Sequence, residues 1–155
     1  ENPRGDTFTS PATLANRTRA AKAGSLAAEA ALVASRAPLS RDENYLRELR
    51  ERVARSRDPE AFLAMADAMG PEASSLPHVF GPESGTEEAT LAWTLAACRT
   101  GLDCRSNGAL MTTYCLAGIC GPYNNFEQLV FEGLLPASER NRINEMVGRV
   151  ISHGE

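Results

Sequence analysis

Four cysteines are the residues of this sequence whose spacing most clearly allows chemistry, and all of them lie between positions 86 and 121. One pair stands in Cys98-Arg-Thr-Gly-Leu-Asp-Cys104 and the other in Cys115-Leu-Ala-Gly-Ile-Cys120. In each pair a cysteine near the end of an apolar helical pattern is followed by a glycine, an aliphatic residue and a second cysteine. Glycine readily adopts the left-handed conformation that closes a helix, and the aliphatic residue then folds back onto the last turn. We interpret both stretches as helix ends that bring two thiols together.

The four cysteines allow three pairings, of which we expect the local one, Cys98 with Cys104 and Cys115 with Cys120. A helix that turns back at glycine can reach the Cα separation of about 5.5 Å that a disulfide needs. Two structural disulfides are typical of an oxidising compartment. Two alternatives remain at this point. A zinc site is one, although the gaps of five, ten and four residues and the distant histidines do not resemble paired ligands. Four free buried thiols are the other.

The stretch 71–85 is the second place where chemistry is conceivable. It holds three prolines and two glycines, so we predict one long surface loop without a helix. Its histidine, His78, with an acid such as Glu83 or Glu87, is the basis of an alternative function, a small envelope hydrolase. The sequence contains no Gly-x-Ser-x-Gly elbow, no His-Glu-x-x-His and no phosphate-binding glycine loop.

Paired carboxylates are better explained as helix starts than as acid–base catalysts. Asp42 with Glu43, and Glu87 with Glu88, both precede apolar helical patterns, where acids interact favourably with the helix dipole. We therefore expect no catalytic residue, no metal and no cofactor.

Length and composition indicate one all-α domain. The chain has 155 residues, 43% of them hydrophobic, and a net charge of −4. We predict a loose arm at 1–9 and a single helical domain at 10–155, made of helical hairpins at 10–70, the loop at 71–85 and disulfide-stapled helices at 86–155. About seven helices with antiparallel neighbours are expected. No apolar run is long enough to cross a bilayer, and no basic stripe with interleaved aromatics favours nucleic acid.

Two resemblances refine this picture. The segment Asp58-Pro-Glu-Ala-Phe-Leu-Ala-Met-Ala-Asp-Ala-Met-Gly70, with the charged helix before it from residue 41, resembles one helical hairpin of the Sel1 and tetratricopeptide type. That resemblance implies antiparallel helix pairs and binding to other proteins. The segments Trp93-Thr-Leu-Ala-Ala-Cys98 and Gly101-Leu-Asp-Cys104 resemble small exported helical proteins of Gram-negative bacteria, which implies an envelope location.

These observations lead to one expected function. We expect a non-enzymatic periplasmic or secreted protein-binding module, such as an adaptor, an inhibitor or an immunity-type protein. The partner is expected to be another protein. The binding surface is expected at His78, Val79 and Phe80, together with the weakly apolar N-terminal helices. A domain of a larger secreted effector is a further alternative, and the oligomeric state stays open.

Overall fold

The computed structural model describes residues 10–152, and the expected arm at 1–9 lies outside them. Within this range the fold is all-α, with nine α-helices and no β-strand. The sequence predicted about seven, and the four-residue helix at Pro77–Phe80 lies where a loop was expected. The α-helices are α1 Pro11–Lys22, α2 Leu26–Ala34, α3 Glu43–Ser56, α4 Pro59–Ala68, α5 Pro77–Phe80, α6 Glu87–Arg99, α7 Ala109–Leu116, α8 Phe126–Gln128 and α9 Arg140–Ser152.

The helix starts follow from capping side chains. The hydroxyl of Ser10 accepts a hydrogen bond from the Thr13 N–H at 3.1 Å, and Ser25 caps α2 in the same way. Asp58 accepts from the N–H of Glu60 at 3.0 Å, with proline at the first helical position of α4. Such caps satisfy backbone donors that have no partner within the helix.

The segment 71–85 is more ordered than the sequence indicated. Residues Pro71–Ser75 form a 3-10 turn and Pro77–Phe80 form α5, so the prediction of a loop without a helix is wrong. Pro71 and Pro77 each stand at the first position of a turn, where the backbone N–H that proline lacks would have had no partner within the turn. Proline therefore starts two short turns here and does not prevent them.

Helix α6 is the centre of the core. Eight of its thirteen residues are buried, and it packs against α4 and α9. The rings of Phe62 and Trp93 lie 5.8 Å apart between their centroids, and Met65 and Met69 of the same α4 region are fully buried. Helix α2 packs against α1, α3 and α4, which extends the core towards the N-terminus.

Both cysteine pairs form the expected local disulfides. The Cα atoms of Cys98 and Cys104 are 5.7 Å apart, and those of Cys115 and Cys120 are 4.6 Å apart. Before each second cysteine a glycine has a left-handed backbone, with φ of +125° at Gly101. The next residue then donates its N–H to a carbonyl five residues back. This is the Schellman helix end, and it confirms the interpretation of the two cysteine stretches.

The disulfide at Cys115–Cys120 is expected to stabilise the fold modestly. Because it closes a short loop, replacing both cysteines with serine should lower the free energy of unfolding by about 2 kcal/mol. Urea unfolding followed by circular dichroism measures the change. The Cys98–Cys104 disulfide closes a loop of similar length, so its double serine variant should lose a similar free energy of unfolding. Losses under about 0.5 kcal/mol in both variants would contradict this account.

A buried carboxylate joins α2 to α3. Glu29 is 7% exposed, and the Tyr45 hydroxyl donates to its Oε1 at 2.9 Å. Arg52 donates to both oxygens, from Nη2 to Oε1 at 3.0 Å and from Nη1 to Oε2 at 3.2 Å. Glu48, one turn earlier on α3, stands at the i,i+4 spacing from Arg52 that commonly gives an ion pair within a helix. The guanidinium instead compensates the charge that α2 buries, which a buried carboxylate requires.

Tyr45 should make the free energy of unfolding depend on pH in the alkaline range. Burial, followed by the hydrogen bond to Glu29, raises the pKa of Tyr45 to about 12. Since the ordinary value is about 10, the contribution of the neutral phenol is complete below about pH 10 and is lost as the pH rises towards 12. When the pH is raised from about 9 to about 11, the free energy of unfolding should therefore fall less in Tyr45→Phe than in the wild type. Urea unfolding at both pH values checks this, and equal losses would contradict it.

Candidate functional site

A groove of about 300 Å³ lies between the end of α2 and the segment 71–80. Its apolar lining comes from α2, α3, α4 and the two short turns. The apolar lining residues are Val33, Ala34, Pro38, Leu46, Ala68, Ala73, Leu76 and Phe80. Four charged residues and one serine complete it: Arg36, Arg41, Asp67, Glu72 and Ser75. The volume of the groove lies at the small end of the range for ligand sites, about 300–1,000 Å³.

The end of α2 shapes one wall of the groove. Arg36 follows the helix with a left-handed backbone, φ +63°, and the N–H of Ala37 then donates to the carbonyl of Leu32 at 2.9 Å. This is a helix end of the Schellman type made by a residue other than glycine, which costs about 1–2 kcal/mol. The turn directs the chain through Pro38 along the groove.

An ion pair crosses from that wall to the opposite one. The Nε of Arg36 donates to Oε2 of Glu72 at 2.9 Å, and its Nη2 donates to the other oxygen. The hydrogen bond from Arg36 lowers the pKa of Glu72. Both side chains are exposed, so the pair contributes about 0–1 kcal/mol to stability. The main consequence of this ion pair is that the negative charge of Glu72 is already compensated by the guanidinium of Arg36.

The opposite wall is held by Glu83, which is 5% exposed. The indole N–H of Trp93 donates to its backbone carbonyl at 3.0 Å, and the Nε of Arg149 donates to its carboxylate at 2.5 Å. The segment that carries Ala73, Leu76 and Phe80 is therefore fixed to α6 and α9. Nothing in the sequence pattern marked Glu83 as a structural anchor.

The three residues predicted to bind a partner have different environments. Phe80 is 6% exposed and lines the groove. Val79 is 1% exposed and belongs to the core, so it supports the segment and has no surface to offer a partner. His78 is exposed and lies outside the groove lining.

The acids proposed for His78 do not meet it. Its Nε2 lies 2.9 Å from Oε1 of Glu43 on α3, and both side chains are more than half exposed. Glu83 is bound to Arg149, and Glu87 lies with Glu88 in the first turn of α6, as the sequence predicted for this acidic pair. A histidine and carboxylate open to solvent provide no enclosed space for a substrate. The groove is lined by no histidine, cysteine or lysine of the described residues.

Comparison with protein-family models, curated proteins and solved structures found no match. Between residues 10 and 152 no helix is long and apolar enough to cross a membrane. The groove is therefore the feature of the molecule from which we infer a function.

The exposed pair of His78 and Glu43 should contribute little to the fold. Because surface ion pairs are worth about 0–1 kcal/mol, His78→Ala should change the free energy of unfolding by less than about 0.5 kcal/mol. Glu43→Ala is the matched control for the same pair. Urea unfolding at neutral pH measures both, and a loss above about 2 kcal/mol for His78→Ala alone would show that the histidine has a role beyond this pair.

Proposed function

We propose that this protein is a non-enzymatic protein-binding module that acts outside the reducing cytoplasm, in the periplasm or after secretion. An adaptor, an inhibitor and an immunity-type protein are the classes that fit. Two disulfides close short loops and leave no free cysteine. Disulfides of this kind persist in oxidising compartments and are rare in the cytosol, which supports export.

The groove is the observation that carries the proposal. It combines an apolar floor with a charged rim, which is the arrangement of a protein-binding pocket: a buried centre surrounded by polar groups. Both walls of the groove are fixed by buried carboxylates. Glu29 of α2 binds Arg52 of α3, and Glu83, just after the segment 71–80, binds Arg149 of α9. A pocket that is already formed loses little conformational entropy when a partner binds. The Sel1-like character of residues 41–70 is consistent with the same function, because α3 and α4 pack against each other beside the groove.

The hydrolase alternative receives less support. It required an enclosed site with a carboxylate beside His78. The actual pair, with Glu43, is open to solvent and lies apart from the groove.

A tryptophan placed in the groove should abolish partner binding without unfolding the protein. Ser75 is exposed and lies at the groove, so Ser75→Trp should fill the pocket. Ser138 is exposed in another 3-10 turn that does not contribute to the lining, which makes Ser138→Trp the matched control. The wild type and both variants are immobilised and exposed to the periplasmic and secreted proteins of the native host. Proteins retained by the wild type are identified by mass spectrometry.

The proposal expects a partner that the wild type and Ser138→Trp retain and that Ser75→Trp retains at least about tenfold less, as expected when a binding hot spot is blocked. Circular dichroism of each variant establishes that the helices are intact. Equal retention by the two tryptophan variants would contradict the groove as the binding surface. Hydrolysis of a substrate by the purified protein, lost in His78→Ala, would contradict the non-enzymatic function.

A further inference from the structure

The charges at the rim of the groove differ in how far they are already compensated. Glu72 is engaged by two nitrogens of Arg36. Asp67 also interacts with a neighbouring group. Neither carboxylate is therefore without a partner, and the charge of Glu72 is compensated by Arg36.

Arg41 is the rim cation without a carboxylate partner among residues 10–152. Its Nη2 donates to the backbone carbonyl of Arg36 at 2.9 Å, which holds the side chain at the end of α2. A guanidinium has five N–H donors in a planar fork, and this bond uses one of them. Such a group binds a carboxylate through two parallel hydrogen bonds.

We propose that the groove binds a segment of a partner protein in which an aliphatic side chain lies beside a carboxylate. The aliphatic group would occupy the apolar floor near Ala73 and Leu76, and Arg41 would receive the carboxylate. A volume of about 300 Å³ is enough for one or two side chains and too small for a folded element. This ligand class rests on the proposed function and adds the chemistry by which the partner is recognised.

Charge complementarity favours an anionic segment over a cationic one. A cationic ligand would have to displace Arg36 from Glu72 before it could form an ion pair there. An anionic ligand meets the unused donors of Arg41 without breaking a contact. Electrostatic complementarity of this kind contributes mainly to specificity.

Two peptides that differ in one charge test the ligand class. The probes are acetyl-Gly-Leu-Leu with a free C-terminal carboxylate and the same peptide as its C-terminal amide. Binding is followed by ¹H–¹⁵N correlation spectra of the full chain, with resonance shifts expected for Ala34, Ala68 and Ala73. Octanoate is titrated in parallel, because a fatty acid presents the same pair of groups from a lipid source.

We expect the acid peptide to bind about threefold to fivefold more tightly than the amide, the gain typical of an ion pair at an exposed rim. Arg41→Gln should remove this preference, whereas Arg140→Gln, an exposed arginine on α9, should keep it. Ser75→Trp should abolish binding of both peptides. These results together would support the proposal.

Four results would overturn it: no shift of the groove resonances with the acid peptide, equal affinity for acid and amide, a preference unchanged in Arg41→Gln, or binding of octanoate alone. They are distinguishable from a failure of the proposed function. If partner retention still depends on Ser75 while the peptides show no acid preference, the groove is a protein-binding site and only the ligand class is wrong.

Discussion

The fixing of the segment 71–85 by Glu83 is the constraint on which the groove depends. One residue is used twice, because its backbone carbonyl accepts from Trp93 and its buried carboxylate accepts from Arg149. These bonds attach a proline-rich segment to the two helices at the centre of the core. Without them, the two short turns would be held by apolar contacts of Val79 and Phe80 and by the exposed ion pairs of Glu72 and His78. A buried carboxylate that loses its cation costs several kcal/mol, so this attachment is sensitive to any change at either partner.

The other wall of the groove and the C-terminal half are also held by specific bonds. Glu29 ties α2 to α3 through Tyr45 and Arg52, which positions the other wall. The disulfides brace the C-terminal half, where no cysteine touches the groove. The groove itself presents apolar surface and charges, of which Arg36 and Glu72 compensate each other.

Local rules predicted much of the fold, and long-range contacts decided the candidate site. Helix caps such as Ser10 and Asp58, and the glycine helix ends at both cysteine pairs, depend on residues within a few positions, so the sequence contained them. The prolines of 71–85 were misinterpreted because their effect depends on whether they begin a turn or interrupt one. The partners of Glu29 and Glu83 lie 10 to 66 positions away, and no spacing rule identifies such pairs. The region 71–85 was nevertheless predicted as a binding surface, which remains a prediction.

Hydrogen–deuterium exchange of the protein, alone and with its retained partner, tests the central claim most directly. The account predicts slower exchange for backbone amides of 33–38 and 67–80, the two walls of the groove, and unchanged exchange for α7 and α9. A partner that protects only amides in the C-terminal half would contradict the account. In that case the groove would not be the binding surface.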